Sequence, residues 1–128
     1  MSTKLLSLEY HITSPLSEVW KALTDPKVID KWGGGPAKMN DKEGTKFSLW
    51  GGDIHGKNTK VIPEKLLAQD WMSGKWDEYS LLEFKLTHKD GCTTVRLTQI
   101  GIPDDEFEDI KEGWDKFYMG EIKKLLEK

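Results

Sequence analysis

The chain has 128 residues, 37% of them apolar, with 19 Lys and Arg against 22 Asp and Glu for a formal net charge of -3, which supports one hydrophobic core and hardly two. Both signs of charge are scattered along the chain, so electrostatics gives no reason to propose a nucleic-acid partner. The longest apolar runs fall short of a bilayer span and "MSTKLLSLEYHI" lacks the apolar centre of a signal peptide, so the expectation is a single domain over residues 1–128, cytoplasmic and without a membrane partner.

In chain order, "LLSLEYHI" (5–12) is apolar-rich with some alternation and reads as a strand. Ser14, Pro15 and Glu18 then form a helix-start signature: a hydroxyl cap, a proline in the first turn and an acid near the positive end. Leu16, Val19, Trp20 and Leu23 recur at helical spacing. Asp25-Pro26 restarts the pattern with Val28, Ile29 and Trp32, until "GGGP" at 33–36 stops it, giving two short helices in a row.

From 37 to 101 the period changes to two. Phe47 and Leu49 alternate with Lys46 and Ser48, Val61, Leu67 and Trp71 mark further runs, and Leu82, Phe84, Leu86 and His88 alternate with Leu81, Glu83, Lys85 and Thr87. Asp90-Gly91 is the strongest hairpin signal of the chain, and "CTTVRLTQI" supplies the last strand. A meander of this kind predicts an antiparallel sheet. After Pro103 an acidic introductory turn leads into a helix in which Phe107, Ile110, Trp114, Phe117, Tyr118, Ile122, Leu125 and Leu126 follow steps of three and four. Gly113 interrupts that helix at a cost of about 1 kcal/mol relative to alanine. Helical patterns confined to the two ends of a meander predict an α+β fold, with a long helix over about 112–127 lying across one sheet face.

The stretch "LWGGDIHG" (49–56) has the look of a site and the chemistry of a turn. A Walker loop needs Lys and then Ser or Thr at a helix start, and a dinucleotide fingerprint needs G-x-G-x-x-G opening a helix. Neither spacing is present. His55 has no second metal ligand at helical or strand spacing, and His11, His88 and Cys92 lie far off in sequence. Glycines between two strand-like runs predict a hairpin with backbone at positive φ. Cys92 is the sole cysteine, which excludes an internal disulfide and reads as a small strand residue.

Taken together, "ALTDPKVIDKW", "TKFSLWGGDIHG", "LLAQDWMSGKW", "YSLLEFKL", "TTVRLTQIGIP" and "EGWDKFYMGEIKKLL", in this order, resemble the C-terminal domain of the activator of heat-shock protein 90 ATPase. The resemblance covers nearly the whole chain. It implies membership of the START-like, SRPBCC superfamily, with a helix-grip fold: a curved antiparallel sheet of about six or seven strands wrapped around a long C-terminal helix, and two short helices after the first strand. Within the "Q-x-W-R" pattern of the family Gln69 and Trp71 fit, while Met72 stands where an arginine is common, so no role of that arginine is carried over. Two-domain activators carry a preceding domain that supplies most of the chaperone contact, and this chain begins at the START-like domain, so any stimulation is expected to be small.

The leading functional expectation is a chaperone-binding module whose partner is a heat-shock protein 90-type chaperone. The alternative is a carrier or sensor of a small hydrophobic ligand in the helix-grip cavity, and after that a cyclase-like enzyme. No catalytic group, cofactor or metal ligand is assigned. The rings expected to converge between sheet and helix, and so to line a cavity, are Trp20, Trp32, Phe47, Trp71, Phe84, Trp114 and Phe117, with Gln69 among them. Gln99 and His88 are the other polar residues of the inward pattern, His88 reading as a strand end. For the partner surface the candidates are Lys57 and Lys60 beside the hairpin and Asp104, Asp105 and Glu106 after the last strand, a mixed-charge set suited to a transient contact.

Overall fold

The computed structural model describes residues 2–127. Strand β1 (Thr3–Ile12) leads into helices α1 (Leu16–Thr24) and α2 (Pro26–Trp32), followed by β2 (Lys46–Leu49), β3 (Ile54–Ile62), β4 (Leu66–Ser73), β5 (Ser80–Lys89) and β6 (Cys92–Pro103). The chain ends in α3 (Phe107–Gly113), a π-helical turn (Trp114–Tyr118) and α4 (Met119–Leu126), run together as one rod. The six strands form one sheet in the order β1-β6-β5-β4-β3-β2, every neighbouring pair antiparallel. That is the smaller of the two expected strand numbers, because Lys38 makes only an isolated bridge to Ser48.

Alternation decides which face is inside. Leu82, Phe84 and Leu86 of β5 and Thr93, Val95, Leu97 and Gln99 of β6 are buried, with exposed or half-exposed residues between them. Burying each large apolar side chain contributes about 1.5–3 kcal/mol, which holds the register against a one-residue slip. The turn joining these strands has Asp90 at φ 53° and Gly91 at φ 77°, the two positive angles of a two-residue hairpin that matches strand twist. Near the end of β6 the register jumps, Lys4 facing Ile102 and Leu5 facing Ile100. Gly101 is the extra residue of this bulge, and the change of parity returns Ile102 to the core. His88 is exposed near the strand end.

Two local expectations are corrected. The Ser14 hydroxyl does not cap α1: Pro15 occupies the cap position and no side chain bonds the helix start, while the Ser14 carbonyl accepts the Thr93 hydroxyl at 2.8 Å. At α2 the cap is present, Asp25 Oδ1 accepting the Lys27 N–H at 2.9 Å.

The second correction concerns the long helix. Phe117 is not in the core; it is 61% exposed, and Tyr118 takes the inward position. The buried residues Ile110, Trp114, Tyr118 and Ile122 are spaced four apart. In an α-helix each such step overshoots a full turn by about 40°, so three steps would carry Ile122 about 120° from Ile110. The π turn, in which the Met119 N–H reaches the Trp114 carbonyl five residues back, is wider and takes back part of that drift. Gly113, the glycine that counts against the helix, has nothing within 4 Å of an added Cβ, whereas at Gly120 a Cβ would collide with the Asp115 carbonyl oxygen.

The rod lies against the inward sheet face, the Trp114 ring stacking on Trp71 of β4 at 5.4 Å and meeting Phe84 of β5 edge-on at 5.7 Å. Polar contacts fix it to β1 and its exit: Tyr10 donates its hydroxyl hydrogen to the Asp115 carboxylate, and the Thr13 N–H donates to Glu127 Oε2 at 2.8 Å.

Candidate functional site

The stretch "LWGGDIHG" is the β2–β3 turn. Trp50, Gly51 and Gly52 have φ of 49°, 68° and 108°, three left-handed residues in succession, which is why two of them are glycine. The turn is anchored on the α2 exit, the Trp50 N–H donating to the Gly34 carbonyl at 2.8 Å and the Gly51 N–H to the Pro36 carbonyl at 3.0 Å. His55 engages the Gly74 carbonyl at 3.1 Å and lies 3.4 Å from the Tyr79 hydroxyl.

That anchoring turns the Trp50 ring toward the rod, where it meets Trp32 at 5.9 Å and Tyr118 at 6.0 Å, both edge-on. Between this turn, β4 and the rod runs a groove of about 400 Å³. Its aromatic walls are Trp50, Trp71, Trp114, Phe117 and Tyr118, and its charged residues are Asp53, Glu106 and Asp109. Of the eight residues expected to line a cavity, Trp71, Trp114 and Phe117 do border this groove, Phe117 from its outer edge. Trp20, Trp32, Phe47, Gln69 and Phe84 instead fill the core. Large rings close most of the space a helix-grip cavity would occupy, because each packs against another: Tyr118 alone lies 4.5 Å from Trp114, 4.8 Å from Trp32 and 6.1 Å from Phe84.

Polar satisfaction around these rings is uneven. The Trp114 Nε1–H donates to Gln99 Oε1 at 2.9 Å, Gln99 Nε2 donates to Ser80 Oγ at 2.9 Å, and the Ser80 hydroxyl donates to the Trp71 carbonyl at 2.6 Å. Gln69 Nε2 donates to Asn58 Oδ1 at 2.9 Å, and Asn58 Nδ2 donates to the Asn40 carbonyl at 2.9 Å. By contrast Gln69 Oε1, Trp71 Nε1, Trp76 Nε1 and Tyr118 OH are buried with no partner among the described residues, each carrying a desolvation cost of about 1–3 kcal/mol, and of these residues Trp71 and Tyr118 border the groove. Burial alone pushes the Tyr118 phenol well above its ordinary range, so it keeps its hydrogen and remains a donor.

Sequence reasoning missed Trp50, Asp53, Asp109 and Tyr118 as members of one site. Trp50 follows a strand whose alternation points it outward, and only the left-handed turn brings it back. Tyr118 was visible in the helical stripe but is singled out only by the π turn.

The surface candidates do not form one patch. Lys57 and Lys60 are exposed on β3, while Asp104 and Asp105 are exposed and Glu106 half-exposed on the 3-10 turn after β6. Strands β5 and β4 lie between, a separation of about 14 Å at ordinary strand spacing. Glu106 belongs to the groove as well.

Comparison with known proteins adds the following. Residues 13–127 match the family model described as Activator of Hsp90 ATPase homolog 1-like protein. The chain is 30% identical over 125 residues to the activator of 90 kDa heat shock protein ATPase homolog 1 of Mus musculus, covering 96% of this chain and 37% of that protein. The human protein of the same name is 29% identical with the same coverage; the chain thus spans little more than a third of the length of the curated relatives it matches. Among solved structures, an HSP90 activator from Plasmodium falciparum superposes with a TM-score of 0.87 at 25% identity over 95% of both chains. A protein from Mesorhizobium loti reaches 0.83 at 27% identity over 97% of both chains. The Aha1 dimer from Colwellia psychrerythraea, at 0.82 and 20% identity over 96% of both chains, shares the fold.

Proposed function

The chain belongs to the activator of Hsp90 ATPase homolog 1-like family, and from that premise we propose that it is a chaperone-binding module that contacts an ATP-driven heat-shock protein 90-type chaperone through its outer surface. The observation that carries this reading is the family match across residues 13–127, joined by relatives named as activators of the 90 kDa heat shock protein ATPase. Those relatives are named as activators and not as enzymes, and the reading assigns no chemistry to this chain. A cytoplasmic location goes with it; no described helix is long and apolar enough to cross a membrane.

The contact is weak and salt-sensitive in this reading. Its candidate charges are Lys57 and Lys60 on β3 and Asp104, Asp105 and Glu106 after β6, all solvent-exposed except the half-exposed Glu106, and exposed pairs are screened within about 10 Å at 0.1 M salt. Calorimetric titration against the heat-shock protein 90 of the same host, at low and at physiological salt and with and without nucleotide, tests it together with the ATPase rate. Binding at low salt with a small rise in the rate is the expected result, and Lys57→Glu with Lys60→Glu weakens it. No binding at low salt together with an unchanged ATPase rate ends the chaperone reading.

A further inference from the structure

The groove between the β2–β3 turn, β4 and the rod has a one-sided chemistry and shares only Glu106 with the candidate chaperone surface. Its charged residues are all acidic, Asp53 from the β2–β3 turn, Glu106 from the 3-10 turn after β6 and Asp109 from the first turn of the rod, and no Lys, Arg or His is among the residues bordering it. Beside them stand aromatic faces, whose quadrupoles attract a cation lying over the ring. Trp71 and Tyr118, each only 2% exposed, also border the groove, and their buried indole N–H and phenol O–H have no acceptor among the described residues.

These three features select a ligand. An anion would meet three carboxylates and no countercharge. A pure hydrocarbon, the fatty chain that a helix-grip cavity invites, would leave both donors unpaired. A protonated amine satisfies the carboxylates and the ring faces, and an acceptor oxygen on the same molecule satisfies the donors. The volume, about 400 Å³, lies at the small end of the range for ligand pockets and favours a small molecule over a folded peptide segment.

We propose that this groove binds a small organic cation: an aryl or alkyl amine whose apolar body enters among the rings, whose ammonium sits against Asp53, Glu106 and Asp109, and whose one acceptor oxygen takes a hydrogen bond from Trp71 or Tyr118. Opposite charge close to a partly enclosed site raises both affinity and selectivity over neutral and anionic analogues of the same shape.

The test uses the full chain and three matched probes: 4-methoxyphenethylamine, phenethylamine, which lacks the acceptor oxygen, and 4-methoxyphenylacetate, which reverses the charge. Affinity is read by calorimetry, and the site by the indole N–H resonances in a nitrogen–proton correlation spectrum. The methoxy amine is expected to bind at least about tenfold tighter than the carboxylate, more tightly than phenethylamine, and to move the Trp71 indole resonance. Paired Glu106→Gln and Asp109→Asn, on residues at the groove's rim, are expected to cost the amine about tenfold while the melting temperature stays within a degree or two of the parent. Equal binding of the carboxylate, a Trp71 resonance that no probe moves at millimolar concentration, or binding of a lysine-rich peptide alone overturns the proposal. No chaperone enters this measurement, so its outcome and that of the chaperone titration are independent.

Discussion

Two sides of the ring cluster around Trp114 have been treated differently by the fold. On the strand side each polar atom is answered in sequence: Trp114 by Gln99, Gln99 by Ser80, Ser80 by the Trp71 carbonyl. On the groove side the Trp71 indole and the Tyr118 hydroxyl are equally dry and have no answer. Trp71 belongs to both sides, its carbonyl in the closed chain and its ring nitrogen outside it. Buried polar groups in native proteins are nearly always bonded, and a satisfied network specifies one packing. Trp71 and Tyr118 are the members of this ring cluster left with an unpaired donor, and both border the groove where the amine is proposed to bind, while the other buried orphans, Gln69 Oε1 and Trp76 Nε1, belong to residues outside it.

Substitutions can break or sharpen that contrast. The largest effect belongs to Trp114→Ala, which empties the shared centre and is expected to cost about 3–5 kcal/mol in urea unfolding. Gln99→Leu attacks the closed side alone: it strands the Trp114 N–H and takes from Ser80 Oγ the donor it accepts, leaving its bond to the Trp71 carbonyl, for an expected loss of about 1–3 kcal/mol. Gly113→Ala acts at the groove wall, where the backbone is helical and nothing lies within 4 Å of the new Cβ. It is expected to add up to about 1 kcal/mol of stability while narrowing the groove, so thermal melts rise as affinity for the amine probe falls.

Smallest at neutral pH is Tyr118→Phe, where relief of the hydroxyl's desolvation cost is largely offset by the small void it leaves, so stability is expected to stay unchanged or rise by about 0.5 kcal/mol. A loss as large as that of Gln99→Leu would erase the difference between the two sides. Alkaline pH sharpens it. Burial raises the folded-state pKa of Tyr118 above the ordinary phenol value of about 10, so the stability owed to the neutral phenol is fully present below pH 10 and drains away as pH climbs toward the folded value. Tyr10 shifts the same way, through burial first and then its bond to Asp115. Between pH 10 and pH 11 the parent is expected to lose stability faster than the Tyr118→Phe variant, as read by denaturant midpoints.

Much of the architecture was legible in the sequence because it rests on local rules. Asp90-Gly91 is a hairpin wherever it falls between alternating strands, and Leu82, Phe84 and Leu86 face inward because a strand has no other period. The misses share one cause, a neighbour outranking a local preference. Pro15 took the cap position from Ser14, whose carbonyl instead accepts from Thr93 across the fold, and Phe117 surrendered the core to Tyr118. The groove was illegible as a unit, since Asp53, Trp71 and Asp109 come from three separate elements and no spacing rule spans them.

The π turn also bears on how relatives should be lined up. A helix ordinarily tolerates neither insertion nor deletion, because each added or removed residue rotates everything downstream by about 100°. Here the rod already carries one residue more than a regular helix would need between Trp114 and Met119, with the surplus on its solvent side, where Asp115, Lys116 and Phe117 are exposed. A homologue lacking one residue at this point would keep Ile110 and Ile122 in the core on an uninterrupted α-helix. Alignments that forbid a single-residue gap within a helix would set its core aromatic against the exposed Phe117, and a profile built on them would score a solvent-facing position of this helix as a core one.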